Sequence, residues 1–253
     1  MNQIVLITDG CSNTGTSPAA AARHAYRQGI TVNVIGIVDG GDLGERGAAE
    51  AAEIAQAGGG LSRIVSSSKL AETVQMLTRQ TVVRTVQQAV QEELRQLLGT
   101  RVPLEALPPE TRGGVVRMID HLSETSSLKV ALLIDTSASM RSKLHAVADA
   151  CRDLLASLRA REGHSEMCVF RFPGQGNACA ELLADWTANL ENADELFYNL
   201  NMKGTTPTGP AILKTADYIM GNHGEGLEPE PAGAASPVPR EPAGDGVWSG
   251  YIV

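Results

Sequence analysis

Short apolar runs alternate with amphipathic stretches along most of the chain. Gln3 to Thr8 (QIVLIT) has the pattern of a buried strand, Thr31 to Val38 (TVNVIGIV) of a second, and Leu61 to Ser66 of a weaker third. Between them, Pro18 to Gln28 reads as a helix with proline near its first turn, and Glu45 to Ala57 as a helix stopped by Gly58, Gly59 and Gly60. Leu70 to Leu98 holds no Gly or Pro. Within it Val83, Val86, Val90, Leu94 and Leu97 recur at spacings of three and four, which predicts a helix with one apolar stripe. At 1.5 Å per residue that helix is about 45 Å long. After a turn around Gly99 to Pro109, Val115, Met118, Ile119 and Leu122 form a second stripe. Residues 83–126 therefore read as a helical hairpin, with Gly113 and Gly114 weakening the start of its second arm.

The alternation then resumes. Lys129 to Ile134 is a strand and Lys143 to Arg159 a helix. Met167 to Phe172 and Cys179 to Ala184 form a strand pair joined through the Pro173–Gly176 turn. Ala193 to Leu200 is a short helix, and Thr208 to Met220 another, with Pro207 and Pro210 at its start. Strands alternating with helices predict an α/β fold, a doubly wound and mostly parallel sheet with helices on its faces. From His223 onward Pro, Gly, Glu and Ala dominate, the composition of a disordered tail. Its apolar end (Val247, Trp248, Tyr251, Ile252 and Val253) is suited to docking on the domain or on a partner.

Composition narrows the function classes. Of the 253 residues 43% are hydrophobic and 20% charged, as in ordinary globular proteins, while aromatics are only 4% and leave the core to Val, Ile, Leu and Ala. The net charge of -8 and the lack of a Lys/Arg block exclude a cationic nucleic-acid face. No run approaches the roughly 20 apolar residues that span a bilayer, and Ile4 to Ile7 is too short for a secretory signal. Cys11, Cys151, Cys168 and Cys179 lack C-x-x-C spacing, so reduced thiols and a cytoplasmic compartment are expected.

Three stretches carry candidate chemistry. Asp135-Thr-Ser137-Ala-Ser139 lies between a strand and a helix, where it would also serve as ordinary helix capping. Thr205-Thr206-Pro207-Thr208-Gly209 precedes a helix and reads equally as a capped loop. Asp9-Gly10 after a strand is most simply a turn. No G-x-G-x-x-G or Walker-type loop follows any strand, and no G-x-S-x-G elbow surrounds Ser137 or Ser139. His24, His121, His145, His164 and His223 fall on helix faces, the hairpin or loops, away from all three stretches.

Taken together, the D-x-S-x-S motif, the T-P-T-G loop and the Ile7-Thr8-Asp9-Gly10 strand end resemble the three parts of a metal-ion-dependent adhesion site. The chain is accordingly similar to von Willebrand factor A (vWA) domains, and its arrangement resembles the stand-alone bacterial YabS-type members. The order differs from the usual one, because T-D-G comes first. The resemblance thus implies a circular permutation: residues 1–82 would supply strands four to six of a six-stranded Rossmann-like sheet, residues 127–222 strands one to three, and the hairpin at 83–126 would bridge them. The family's sheet order, 3-2-1-4-5-6, sets strands one and four side by side at the point of reversal, where ligands bind in such sheets. By resemblance, Ser137, Ser139 and Thr206 would offer hydroxyls to Mg²⁺ or Mn²⁺, with Asp135 and Asp9 acting mostly through water. Thr206 is preferred to Thr205 because it directly precedes Pro207-Thr208-Gly209. One open coordination position would take an Asp or Glu of a protein partner. The implied role is a protein-interaction module and not an enzyme. Two alternatives stand beside it: a metal-dependent hydrolase or phosphatase-like enzyme, and a scaffold acting through the hairpin and tail. A cation site at Asp39, Asp42 and Glu45 is less well supported than a solvated turn. A domain-swapped dimer would satisfy the same site.

Overall fold

The computed structural model describes residues 1–39, 44–98, 106, 108–189, 196–197 and 205–221. They form a mixed α/β structure around one six-stranded, largely parallel sheet. The strands are β1 (Asn2–Thr8), β2 (Ile30–Ile37), β3 (Gly59–Val65), β4 (Leu128–Asp135), β5 (Ser165–Phe172) and β6 (Glu181–Thr187). Their spatial order is β3-β2-β1-β4-β5-β6, and β6 alone runs antiparallel to its neighbour. The chain builds outward from β1 to β3, then returns beside β1 with β4 and builds outward the other way. β1 and β4 are paired in parallel from Asn2↔Lys129 to Ile7↔Ile134, so the reversal of strand order falls at the centre of the sheet.

Two apolar layers follow from the two-residue period of a strand. Ile4 and Leu6 of β1, with Ala131 and Leu133 of β4, face one side. Val5 and Ile7, with Val130, Leu132 and Ile134, face the other. The first side is covered by α1 (Pro18–Arg27), α2 (Gly44–Ala57) and α6 (Thr208–Ile219). These helices contribute small residues, Ala21, Ala22, Ala25, Ala51, Ala211 and Ala216, which let them lie close to the strands. The second side is covered by α3 (Leu70–Leu98) and α5 (Leu144–Arg159), through Leu70, Val74, Leu77, Val147, Cys151 and Leu154.

Burial favours pairing of polar groups, and one network in this core shows how. Asn33 on β2 accepts from the Leu61 N–H at 2.9 Å and the Thr81 hydroxyl at 3.0 Å, and donates to Gln3 at 3.4 Å, so β1, β2, β3 and α3 share one network. Gly60 permits this approach: a Cβ there would stand 2.1 Å from the Val32 carbonyl oxygen.

Several expectations from the sequence shift. The glycine run does end α2, but Gly59 and Gly60 already belong to β3, and Gly59 takes φ 65°. Gly113 and Gly114 lie inside α4 (Pro109–Thr125), whose N1 proline starts it four residues upstream. The strand read at Cys179 to Ala184 lies at Glu181–Thr187, because Gly174 to Ala178 form a longer connection. The buried face of α3 runs through Leu70, Val74, Leu77, Val82 and Val86, whereas Val83, Val90 and Leu94 are only half-buried. In α4 only Ile119 of the predicted stripe is buried, while Met118 and Leu122 are exposed. Burial thus follows where α3 crosses the sheet, and periodicity continues beyond that crossing. The Ala193 to Leu200 helix (Leu196 and Phe197 apart), the turn from Gly99 to Leu107 (Ala106 apart), Asp42 and the tail fall outside the described residues. Among the described residues no helix is long and apolar enough to cross a membrane.

Candidate functional site at the carboxyl end of the central strands

Asp135 is the last residue of β4, and Asp9 follows the last residue of β1. Since these strands are neighbours in parallel, residues from distant parts of the chain meet beyond their carboxyl ends. Asp135 is fully buried; its Oδ2 accepts the Thr8 hydroxyl at 2.7 Å and its Oδ1 the Ser137 N–H at 2.8 Å. Ser137 and Ser139 hydroxyls lie 3.2 Å apart, and the Ser139 hydroxyl donates to Asp9 Oδ1 at 2.8 Å. The other Asp9 oxygen meets the Lys143 ammonium at 2.5 Å. One hydrogen-bonded chain therefore runs from a buried carboxylate out to the exposed Ser139.

The local backbone explains this convergence. After β4 the chain does not enter α5 directly but makes a 3₁₀ turn, Ala138–Lys143, pinned by the fully buried Met140. This tight turn displays Ser139 and Lys143 on the same rim as Asp9 and delays α5 by one residue relative to the predicted start. Burial pushes the Asp135 carboxyl above its ordinary value, partly offset by the Thr8 and Ser137 hydrogen bonds, with nearby Asp9 adding to the rise.

Thr206 sits on the adjoining loop. It is buried, whereas Thr205 is exposed. Its described hydrogen bonds run through its backbone: its N–H donates to Asn13 Oδ1 at 2.8 Å, and its carbonyl accepts from the Ser12 hydroxyl at 3.2 Å. Thr206 is thus fastened to the segment that follows Asp9, while the hydrogen-bonded chain itself joins Asp9, Asp135, Ser137 and Ser139. Gly209 is needed for this fastening, because a Cβ there would lie 2.0 Å from the Thr16 carbonyl oxygen.

Four contributors escaped the reading of the sequence: Thr8, Ser12, Asn13 and Lys143. Thr8 stood inside the quoted Ile-Thr-Asp-Gly string but looked like strand terminus. Lys143 looked like the first residue of a helix. Among the described residues no three His, Cys, Asp or Glu side chains form a metal-holding group, so the cluster's oxygen donors are two carboxylates and a set of hydroxyls. That donor set is all hard oxygen, which suits Mg²⁺ or Mn²⁺ and not a thiolate- or imidazole-seeking ion. The Lys143 ammonium already makes Asp9 a seat for positive charge. Asp39 does not join the cluster through a contact; it accepts the Ser67 N–H at 2.9 Å and the Ser67 hydroxyl.

No family model matches the sequence. The YabS protein of Bacillus subtilis (strain 168), itself uncharacterized, is 47% identical over 212 residues, covering 84% of this chain and 86% of that protein. The chain belongs to the YabS family. A crystal structure of an uncharacterized protein from Alicyclobacillus acidocaldarius subsp. acidocaldarius DSM 446 superposes on it with a TM-score of 0.81 at 44% identity, covering 88% of this chain and 94% of that one. Proximal thread matrix protein 1 from the mussel byssus aligns with a TM-score of only 0.25 and 15% identity. The similarity to YabS thus extends across most of both chains, and the solved structure shares the fold described above.

Proposed function

We propose that this YabS-family chain is a circularly permuted vWA domain whose Asp135, Ser137, Ser139, Thr206 and Asp9 hold Mg²⁺ or Mn²⁺ and present it to an acidic side chain of a protein partner. The observation that carries the reading is the 2.8 Å hydrogen bond from Ser139 to Asp9, which joins residues 130 positions apart. Support also comes from the strand order, which equals the 3-2-1-4-5-6 order of vWA sheets once β4 to β6 are counted before β1 to β3. The cluster then lies at the topological switch point, where open α/β sheets bind ligands.

The roles divide by exposure. Ser137 and Ser139 would be direct hydroxyl ligands, since their oxygens already face each other at 3.2 Å. Asp135, oriented by Thr8 and the Ser137 N–H, would balance charge from behind. Asp9 would do so from the β1 side, and Thr206 would close the site from its loop. A divalent ion held mainly by neutral hydroxyls keeps Lewis acidity and so attracts a carboxylate from outside. The reading is of a binding module, with no catalytic residue assigned.

Calorimetric titration of Mg²⁺ and Mn²⁺ into the intact chain tests it, beside Asp9→Ala and Asp135→Ala. One site per chain is expected, weakened at least about tenfold by either substitution in a folded protein, or roughly 1.4 kcal/mol. Binding that is absent, or that ignores Asp9, would remove the shared site.

A further inference from the structure

Lys143 holds the position a competitor would. Its ammonium lies 2.5 Å from Asp9 Oδ2, while Asp9 Oδ1 takes the Ser139 hydroxyl at 2.8 Å, so the lysine charge and a hydroxyl of the proposed ligand set share one carboxylate. Neither side chain of the pair is well solvated: Asp9 is 1% and Lys143 12% exposed. In such surroundings a fixed ammonium and a divalent ion drawn to the same carboxylate, directly or through water, repel each other strongly. Lysine suits a displaceable role. It is a compact charge on a flexible four-carbon stem, whereas an arginine fork would be held by its geometry. Lys143 also ends the 3₁₀ turn at the mouth of the site, where its stem can swing without unwinding α5. The exposed Asp39 carboxylate, held by Ser67, also feels the Lys143 charge.

We propose that Lys143 is a tethered cation that occupies Asp9 in the metal-free protein and is expelled when a divalent ion binds, so that it sets the affinity threshold of the site and signals occupancy by its release. This rests on the metal-site reading above. A lysine that merely positioned Asp9 would act in the opposite sense, since its removal would weaken metal binding.

Mn²⁺ titrated calorimetrically into the full chain and into Lys143→Met and Lys143→Gln distinguishes these roles. Both variants, checked for a cooperative melt, are expected to bind one Mn²⁺ roughly tenfold more tightly than the unaltered protein. In the unaltered protein, acetylation of Lys143 by an amine-acylating reagent, followed by mass spectrometry, is expected to speed up at saturating Mn²⁺. Unchanged or weakened binding in the variants overturns the proposal while leaving the metal site standing. Loss of all Mn²⁺ binding in folded protein, variants included, overturns both. Should neither variant fold, the acylation rate decides, and a rate indifferent to Mn²⁺ refutes displacement.

Discussion

The carboxyl end of the sheet carries two charged clusters built on opposite principles. At the β5–β6 edge, the buried Arg171 guanidinium donates to Glu181 Oε2 through Nε at 3.0 Å and Nη2 at 2.6 Å, and the Gln175 N–H adds a third bond at 3.0 Å. The partners are ten residues apart, brought together by one local turn. At the β1–β4 seam, Asp9 has Lys143, but Asp135 is fully buried and is met by the Thr8 hydroxyl and by Ser137, through its N–H and its side chain. Thr8 stands 127 residues away in the sequence, whereas Ser137 is only two away. The edge cluster matches charge with charge and serves the fold. The seam cluster sets a buried carboxylate among hydrogen-bond donors instead, the kind of environment that perturbs carboxylates.

The first way to break this contrast is to separate the halves. β1 and β4 form the central parallel pair, so residues 1–126 and 127–253 expressed alone each expose the edge of a parallel sheet. Neither is expected to show a cooperative urea transition, a loss of the whole global stability of about 5–15 kcal/mol. Co-expression should restore one transition by circular dichroism. A monomeric cooperative transition in either half would mean that the seam is an interface between two independent units.

Next in size is the edge cluster. Glu181→Gln leaves a guanidinium that is 1% exposed without its counter-charge, and Arg171 Nη1 already has no hydrogen-bond partner among the described residues. Breaking a buried pair in this way costs about 3 kcal/mol, at the lower end because Glu181 is itself 34% exposed. Urea denaturation reads this directly. Burial alone would raise the Glu181 carboxyl, but hydrogen bonds from Arg171 and Gln175 more than offset this and hold it below its ordinary value. A depressed carboxyl contributes fully above its unfolded pKa of about 4.3 and loses that contribution as pH falls through the lower folded value. The Glu181→Gln variant should therefore lack that part of the acid-induced loss. An acid limb identical to that of the parent would assign the loss to other groups.

The two clusters also differ in how readable they were. The strand order came only from the resemblance to vWA domains, whereas the alternation of strands with helices and the carboxylates at the ends of β1 and β4 were visible as patterns, because periodicity and residues at strand ends are local properties. Asp9, Asp135, Ser137 and Ser139 stood out for the same reason. Thr8 and Lys143 did not, since their roles depend on which strand lies beside β1 and on a 3₁₀ turn that no periodicity announces. Arg171 and Glu181 drew no attention in the sequence, since only the β5–β6 register makes them partners. The stripe on α3 was misplaced because periodicity records an amphipathic helix and not how far the sheet beneath it extends.

The smallest predicted effect bears most directly on the contrast. Burial raises the Asp135 carboxyl, so ionised Asp135 opposes folding in the metal-free protein. Asparagine keeps an oxygen for the Ser137 N–H and removes the charge. In chelator, Asp135→Asn should stabilise the chain by ~1 kcal/mol, a gain typical of relieving a functional site. With Mn²⁺ at one hundred times its dissociation constant, the unaltered chain gains about 2.7 kcal/mol by mass action and a variant that binds at least tenfold more weakly gains about 1.4 kcal/mol or less, so the variant's advantage is lost. Thermal melts with and without Mn²⁺ measure both arms. If Asp135→Asn were the less stable protein in chelator, Asp135 would be an anchor of the same kind as Glu181, and the distinction between the two clusters would disappear.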